Sequence, residues 1–163
     1  MAKHLVVAHQ TSASPELIAK LREIVQRDEE AQFTLLVPAT PANQLLVWEE
    51  GESVAIAGKR AAESRQQLEA AGLPVVEAKV GDYLPLDAIM DELRRQQDPP
   101  YASVVLSTFP PGMSRWLRMD LPTQLRRKFP GLRVEHVLSH PRARESVEEP
   151  SAGGSRYLAD TLP

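Results

Sequence analysis

The chain has 163 residues, no cysteine and a formal net charge of −3. Lack of cysteine excludes disulfides, thiolate catalysis and cysteine-ligated metal sites, and the small net charge gives no electrostatic basis for binding nucleic acid. No apolar stretch approaches the ~20 residues that span a bilayer, and the first apolar run, 5–8, is too short for a signal peptide. We therefore expect a soluble, cytoplasmic protein with neither a membrane nor a nucleic-acid partner.

The first predicted elements are a buried strand and a capped helix. Leu5 to Ala8 form a continuous apolar run, which is typical of a strand covered on both faces. Ser14 suits the N-cap of the following helix and Pro15 its first position, because a hydroxyl accepts a bond from a free N–H and proline has no N–H to satisfy. A second strand is predicted over 33–37. The connection after it carries Trp48, for which we expect a short helix that buries the indole.

The remaining elements continue this alternation. We predict helices over 53–71, 85–96, 112–119 and 121–129, and strands over 75–80, 103–106 and 132–138. Gly72 is expected to end the first of these helices, and Asp120 to cap the last. Beyond Ser139 the composition shifts to Pro, Arg, Glu, Gly and Ser, so residues 141–163 are predicted to be a poorly ordered tail after a domain of residues 1–140.

This order of elements predicts an α/β fold: a three-layer, doubly wound, five-stranded parallel sheet, Rossmann-like, with helices on both faces. Ligands of such sheets bind beyond the carboxyl ends of the strands, at the point where the winding direction reverses. The loops that would meet there are His9-Gln10-Thr11, after the first strand, and 107–112, after the fourth.

The loop after the fourth strand is the strongest candidate for a binding site. Ser107, Thr108, Ser114 and Arg115 place hydroxyls and a guanidinium around a predicted helix N-terminus, where backbone N–H groups can hold phosphate or sulfate. The alternative is a capped helix with Arg115 on the surface. Trp116, in the same helix, is expected in the core.

His9 follows the first strand, where a ligand contact would come from. A general base needs a nucleophile and an orienting carboxylate nearby. Thr11 and Ser12 are the local hydroxyls, but no third partner is evident, and the four histidines lack metal-ligand spacing. We therefore expect a non-catalytic protein without a metal, in which His9 lines the binding site.

Three segments together resemble the universal stress protein family of the adenine-nucleotide alpha-hydrolase-like superfamily. They are the first strand with its polar loop, Val80-Gly81-Asp82 before a helix, and the strand–loop–helix unit at 103–121. The resemblance covers residues 1–140 and implies a 3-2-1-4-5 sheet, a role in the stress response and a homodimer. The residues that it places around a nucleotide or anion pocket are His9, Gln10, Thr11, Val37, Gly81, Ser107, Thr108, Gly112, Ser114 and Arg115.

The chain departs from the ATP-binding members of that family. They carry Asp after the first strand and a Gly-x2-Gly-x9-Gly-(Ser/Thr) loop after the fourth, whereas here His9 replaces the Asp, and Ser107, Pro110 and Asp120 stand at the glycine positions. Pro110 and Pro111 also lack the N–H groups that bind phosphate oxygens. We expect a degenerate pocket that binds ATP, AMP, phosphate or sulfate weakly. The alternatives are an ATP-binding stress protein and a protein-interaction scaffold without a ligand.

Overall fold

The structure, a computed structural model, describes residues 2–39, 50–95 and 99–140, and of residues 50–53, 115 and 118 it describes the backbone only. One parallel sheet runs through these ranges, in the order β3-β2-β1-β4-β5. Its strands are β1 (Lys3–Val7), β2 (Gln32–Pro38), β3 (Val75–Gly81), β4 (Ser103–Thr108) and β5 (Arg133–Leu138). The predicted fold class and strand order are confirmed. Trp48 and the predicted tail, 141–163, lie outside the described residues.

The strands are connected by helices α1 (Pro15–Arg27), α2 (Glu50–Ala70), α3 (Pro85–Arg95), α4 (Arg115–Arg118) and α5 (Leu121–Lys128). The prediction of a helix over 112–119 was too long, because the chain turns at 111–113 and only one helical turn follows. None of the helices in the described ranges has the length and apolar character needed to cross a bilayer.

Each face of the sheet carries its own apolar cluster. On one face, α1 and α2 bury Leu21 and Leu68 against the strands, and we call this the α1–α2 layer. On the other face, the α3–α5 layer buries Ile89, Trp116 and Leu125, so the predicted core position of Trp116 is confirmed. Right-handed crossovers explain this division: the chain winds from β1 to β3 on one face and returns to β4 and β5 on the other. The winding therefore reverses between β1 and β4.

Two predicted helix caps have different outcomes. Ser14 Oγ accepts a hydrogen bond from the Leu17 N–H at 3.1 Å and Pro15 opens α1, as predicted. Asp120 also precedes its helix, α5, but its carboxylate makes no capping bond, so that prediction was wrong. Its φ of 55° and ψ of 39° are left-handed, a conformation that Asp tolerates better than most residues. Asp120 therefore serves the sharp change of direction between α4 and α5.

Helix α3 carries a buried acid that the apolar pattern did not indicate. Glu92 is 3% exposed, and its carboxylate accepts bonds from the Tyr101 hydroxyl at 2.8 Å and the Lys79 ammonium at 3.1 Å. Burial raises the pKa of Tyr101, so the phenol stays a donor. Burial by itself lowers the pKa of Lys79, but hydrogen bonds to Glu92 and Glu77 outweigh it and raise the pKa. This group is a satisfied structural ion pair, which binds α3 to β3.

Candidate functional site

The loop after β4 closes on itself as a tight turn. The Pro110 carbonyl accepts hydrogen bonds from the N–H groups of Met113, at 3.1 Å, and Ser114, at 3.3 Å. Pro111 and Gly112 lie at the two central positions, and Gly112 has a φ of 89°. Proline followed by a residue of positive φ is the pattern of a type II turn. Gly112 is therefore required by the turn.

This turn leaves few backbone donors for a phosphate. Pro110 and Pro111 have no N–H, and those of Met113 and Ser114 point back to the Pro110 carbonyl. In the first turn of α4, the Leu117 N–H is bonded to Ser114 Oγ at 3.3 Å. Ser114 thus caps α4, as in the capped helix that the sequence analysis gave as the alternative to an anion site. The side chain of Arg115 lies outside what the structure describes.

Four hydroxyls meet where the winding reverses, and we call them the hydroxyl row: Ser14, Ser139, Ser107 and Thr11. Ser107 Oγ donates to Thr11 Oγ1 at 2.8 Å. Ser139 Oγ lies 3.0 Å from Ser107 Oγ and 2.7 Å from Ser14 Oγ. Each hydroxyl can donate one hydrogen bond, and Ser107 donates its bond to Thr11. Ser139 is therefore the donor to Ser107, and Ser14 is the donor to Ser139. The proton of Thr11 is left without an acceptor among the described residues.

Two predicted site residues serve packing. The Val37 side chain is fully buried in the cluster under α1 and α2. A Cβ at Gly81 would lie 2.6 Å from the Ala88 Cβ and 3.0 Å from Leu36 Cδ1. Glycine at this position therefore lets α3 approach the sheet closely.

Thr108 lies on β4 beside a histidine, but the pair is not arranged for catalysis. Thr108 Oγ1 donates to the Phe109 carbonyl at 2.9 Å and lies 2.7 Å from His136 Nε2. Since the hydroxyl proton is engaged, Nε2 carries the hydrogen and donates. A histidine in that state cannot take the proton of the hydroxyl. Burial, followed by the charge of Arg126, lowers the pKa of His136.

A polar pocket of about 380 Å³ opens beside the hydroxyl row, between the β1–α1 loop and α2. Its lining consists of residues 10–15, Phe109 and His140, together with Arg60, Glu63, Ser64 and Gln67 of α2. Ser12 Oγ and Ser64 Oγ are 2.5 Å apart and join the loop to the helix. The structure therefore brings Gln10 and Thr11, two of the predicted residues, together with α2 side chains that the sequence did not single out. Their spacing of three, four and seven residues is the signal that could have indicated one face.

Arg60 supplies a positive charge to this pocket, whose lining also includes the Glu63 carboxylate. His9 is 8% exposed, and burial, followed by the charge of Arg60, lowers its pKa to about 4. The imidazole is therefore neutral at pH 7, and the guanidinium carries the charge. Arg60 Nε is buried and has no hydrogen-bond partner within the described ranges. Across the same ranges, no three His, Asp or Glu side chains come together as metal ligands.

No protein-family model and no curated protein matches this sequence. Among solved structures, the chain is similar to the universal stress protein from Archaeoglobus fulgidus, with a TM-score of 0.55 and 12% identity, over 84% of this chain and 93% of that one. At that identity the likeness shows the fold alone. The universal stress protein-like fold implied by the sequence resemblance is thereby supported over most of the chain.

Proposed function

We propose that this chain is a non-catalytic, universal stress protein-like module of the cytoplasm that binds a small anion where the winding reverses between β1 and β4, and that holds no triphosphate in the loop after β4. One observation carries the proposal: the N–H groups of Met113 and Ser114 are bonded to the Pro110 carbonyl. A triphosphate needs a row of outward N–H donors. A single oxyanion group needs fewer, and hydroxyls with one guanidinium can supply them.

The states of His9 and His136 support a binding role. His136 donates to Thr108, so it does not act as that residue's base. His9, with its pKa lowered to about 4, is a weak base. Neither histidine is oriented by a carboxylate through a hydrogen bond among the described residues, which a nucleophile–base–acid arrangement would require.

Thermal unfolding and calorimetry with two ligands test this function. We expect 10 mM inorganic phosphate to raise the melting temperature by roughly 1–3 °C over chloride at equal ionic strength. We expect 1 mM Mg-ATP to raise it by less than about 1 °C, and native mass spectrometry of the purified protein to show no retained nucleotide. A rise of several degrees with Mg-ATP would show instead an ATP-binding stress protein. No response to either ligand would favour the alternative function, a protein-interaction scaffold that binds no ligand.

A homodimer through β5 is a second, compatible proposal. β5 has no strand on its outer side within the described sheet, and Arg133 and Glu135 lie 2.7 Å apart on it, so their charges offset each other at the edge. Val134 packs against the α3–α5 layer, whereas Leu138 is 42% exposed. Light scattering should find a dimer for the wild type and a monomer for Leu138→Lys. An unchanged mass in that variant would exclude this edge as the interface.

A further inference from the structure

We infer that the anion binds on the side of the α1–α2 layer, in the pocket between the β1–α1 loop and α2, and that Arg60 selects it. This inference rests on the proposed function, which requires only that an anion binds near the point where the winding reverses. It adds the site, whose lining includes Phe109 but none of residues 110–114 of the turn after β4. It also adds the ligand class, inorganic phosphate or a small phosphate monoester.

Arg60 supplies the charge of this site. Its Nε is buried, and no hydrogen-bond acceptor lies within reach among the described residues. A buried N–H without an acceptor is destabilising, so an anion that accepts from it is favoured at this place. The guanidinium presents several N–H groups in a plane, which suits two oxygens of one phosphate.

The carboxylates at the rim of the pocket do not neutralise Arg60. Glu63 lies 3.9 Å from Lys59, and both side chains are more than half exposed, so that pair faces solvent. Glu16 is outside the lining, and its Oε1 lies 3.6 Å from His140 Nδ1. Both acids have a cationic or polar neighbour of their own. Arg60 has no carboxylate within ion-pairing distance in the described part of the chain, and its charge is available to a ligand.

Thr11 adds a buried donor. Its side chain is 5% exposed, it lines the pocket, and its oxygen accepts from Ser107. The single direction of the hydroxyl row leaves its proton unused. An acceptor placed beside Thr11 would complete the row, since every other proton in it is already committed.

Ser12 and Ser64 add a third donor. They share one hydrogen bond, so one of the two hydroxyl protons remains to be donated. The pocket wall thus combines two hydroxyl donors with the guanidinium of Arg60, which carries a positive charge, and the Glu63 carboxylate also belongs to the lining. Its volume of about 380 Å³ lies near the lower end of the roughly 300–1,000 Å³ typical of ligand pockets, which suits a phosphate with a small organic group.

Calorimetric titration with inorganic phosphate, at constant ionic strength, compares the full chain with Arg60→Gln and Lys59→Gln. The control removes the same charge from the neighbouring position of the same helix, where the side chain is 79% exposed. We expect Arg60→Gln to weaken phosphate binding at least about tenfold, because a charge-assisted pair is lost, and Lys59→Gln to change it less than about twofold. Arg60→Lys keeps the charge without the planar donors and should give an intermediate loss.

Amide chemical-shift mapping on the unsubstituted protein tests the location without any variant. Phosphate should shift the N–H signals of Thr11, Ser12 and Arg60 and leave those of Met113 and Ser114 in place. Equal phosphate affinities in Arg60→Gln and Lys59→Gln, or shifts confined to the turn, would overturn the inference while the proposed function stands. No phosphate binding by the wild type would overturn both.

Discussion

Two polar segments of similar composition lie at the carboxyl end of the sheet. They differ in whether their hydrogen-bond donors are already bonded within the protein. In the turn after β4, the N–H groups of Met113 and Ser114 are bonded within the loop itself. In the pocket on the α1–α2 layer, the proton of Thr11 and the Nε of Arg60 have no acceptor in the described ranges. Both segments lie where a doubly wound sheet binds ligands. Location alone therefore does not identify the binding site. The hydrogen-bond donors that remain without an acceptor identify it.

The comparison extends to two glycines that the sequence placed around the pocket, Gly81 and Gly112. Gly81 and Gly112 each have a structural duty, the first under Ala88 and the second in a turn. On the α1–α2 layer, by contrast, Arg60 of α2 keeps a buried Nε that has no hydrogen-bond partner in the described ranges. Substitutions in both segments and in the packing around them test this contrast.

The substitution Gly81→Ala should cost the most stability. The new Cβ would lie 2.6 Å from the Ala88 Cβ, and since both atoms are fixed to backbone, the expected loss is about 2–3 kcal/mol in urea denaturation. Gly58→Ala is the matched control, because the nearest atom to its Cβ is Val80 Cγ2 at 3.9 Å, and a helical alanine should gain about 0.5–1 kcal/mol. Loss of phosphate binding in Gly81→Ala without loss of stability would contradict a packing role.

His9 should make the protein less stable in mild acid. Burial and Arg60 lower its pKa from 6.5 to about 4, so below pH 6.5 the unfolded chain takes up a proton that the folded chain does not. Stability is then lost as the pH falls from about 6.5 towards 4. The expected loss between pH 7.5 and 5.0 is about 2 kcal/mol from this residue.

Denaturation of His9→Gln at the same two pH values isolates that contribution. His4 and His136, whose pKa values burial also lowers, remain in the variant and set its residual slope. The variant should lose about 2 kcal/mol less than the wild type over this interval. Parallel pH slopes would show that the imidazole is not held neutral beside Arg60.

The two serine caps should contribute different amounts to the free energy of unfolding. Ser14→Ala removes the cap of the 13-residue helix α1 and the first donor of the hydroxyl row, for an expected loss of about 1–2 kcal/mol. Ser114→Ala removes the cap of a helix of 4 residues, for about 0.5 kcal/mol. Equal losses in urea denaturation would mean that the turn after β4 contributes as much to the fold as the start of α1.

Pro111→Ala should have the smallest effect. The substitution restores one N–H to the turn after β4. It also raises the conformational entropy of the unfolded chain, which should lower the free energy of unfolding by about 0.5 kcal/mol. Mg-ATP affinity, measured by calorimetry, should not change, because Met113 and Ser114 still bond to the Pro110 carbonyl. A clear gain in affinity would show that the proline alone, rather than the closed turn, keeps a triphosphate out.

The sequence predicts the fold better than the site, for physical reasons. Buried strands and capped helices are recorded locally, in runs such as 5–8 and at Ser14, so the winding of the sheet follows from their order. The pocket depends on where α2 lies against the β1–α1 loop, and a polar helix face such as that of Arg60 usually faces solvent. The turn at 110–114 could have been predicted, since Pro-Pro-Gly is a turn signal.

Gly81 has a consequence for the comparison of related sequences. Because its α-carbon faces Ala88 with no room for a second methyl group, positions 81 and 88 are constrained as one pair, whichever ligand a homologue binds. A homologue that carries alanine at position 81 is expected to carry glycine at position 88. Glycine at position 81 in an alignment therefore records how closely α3 is docked on the sheet, and it carries no information about nucleotides.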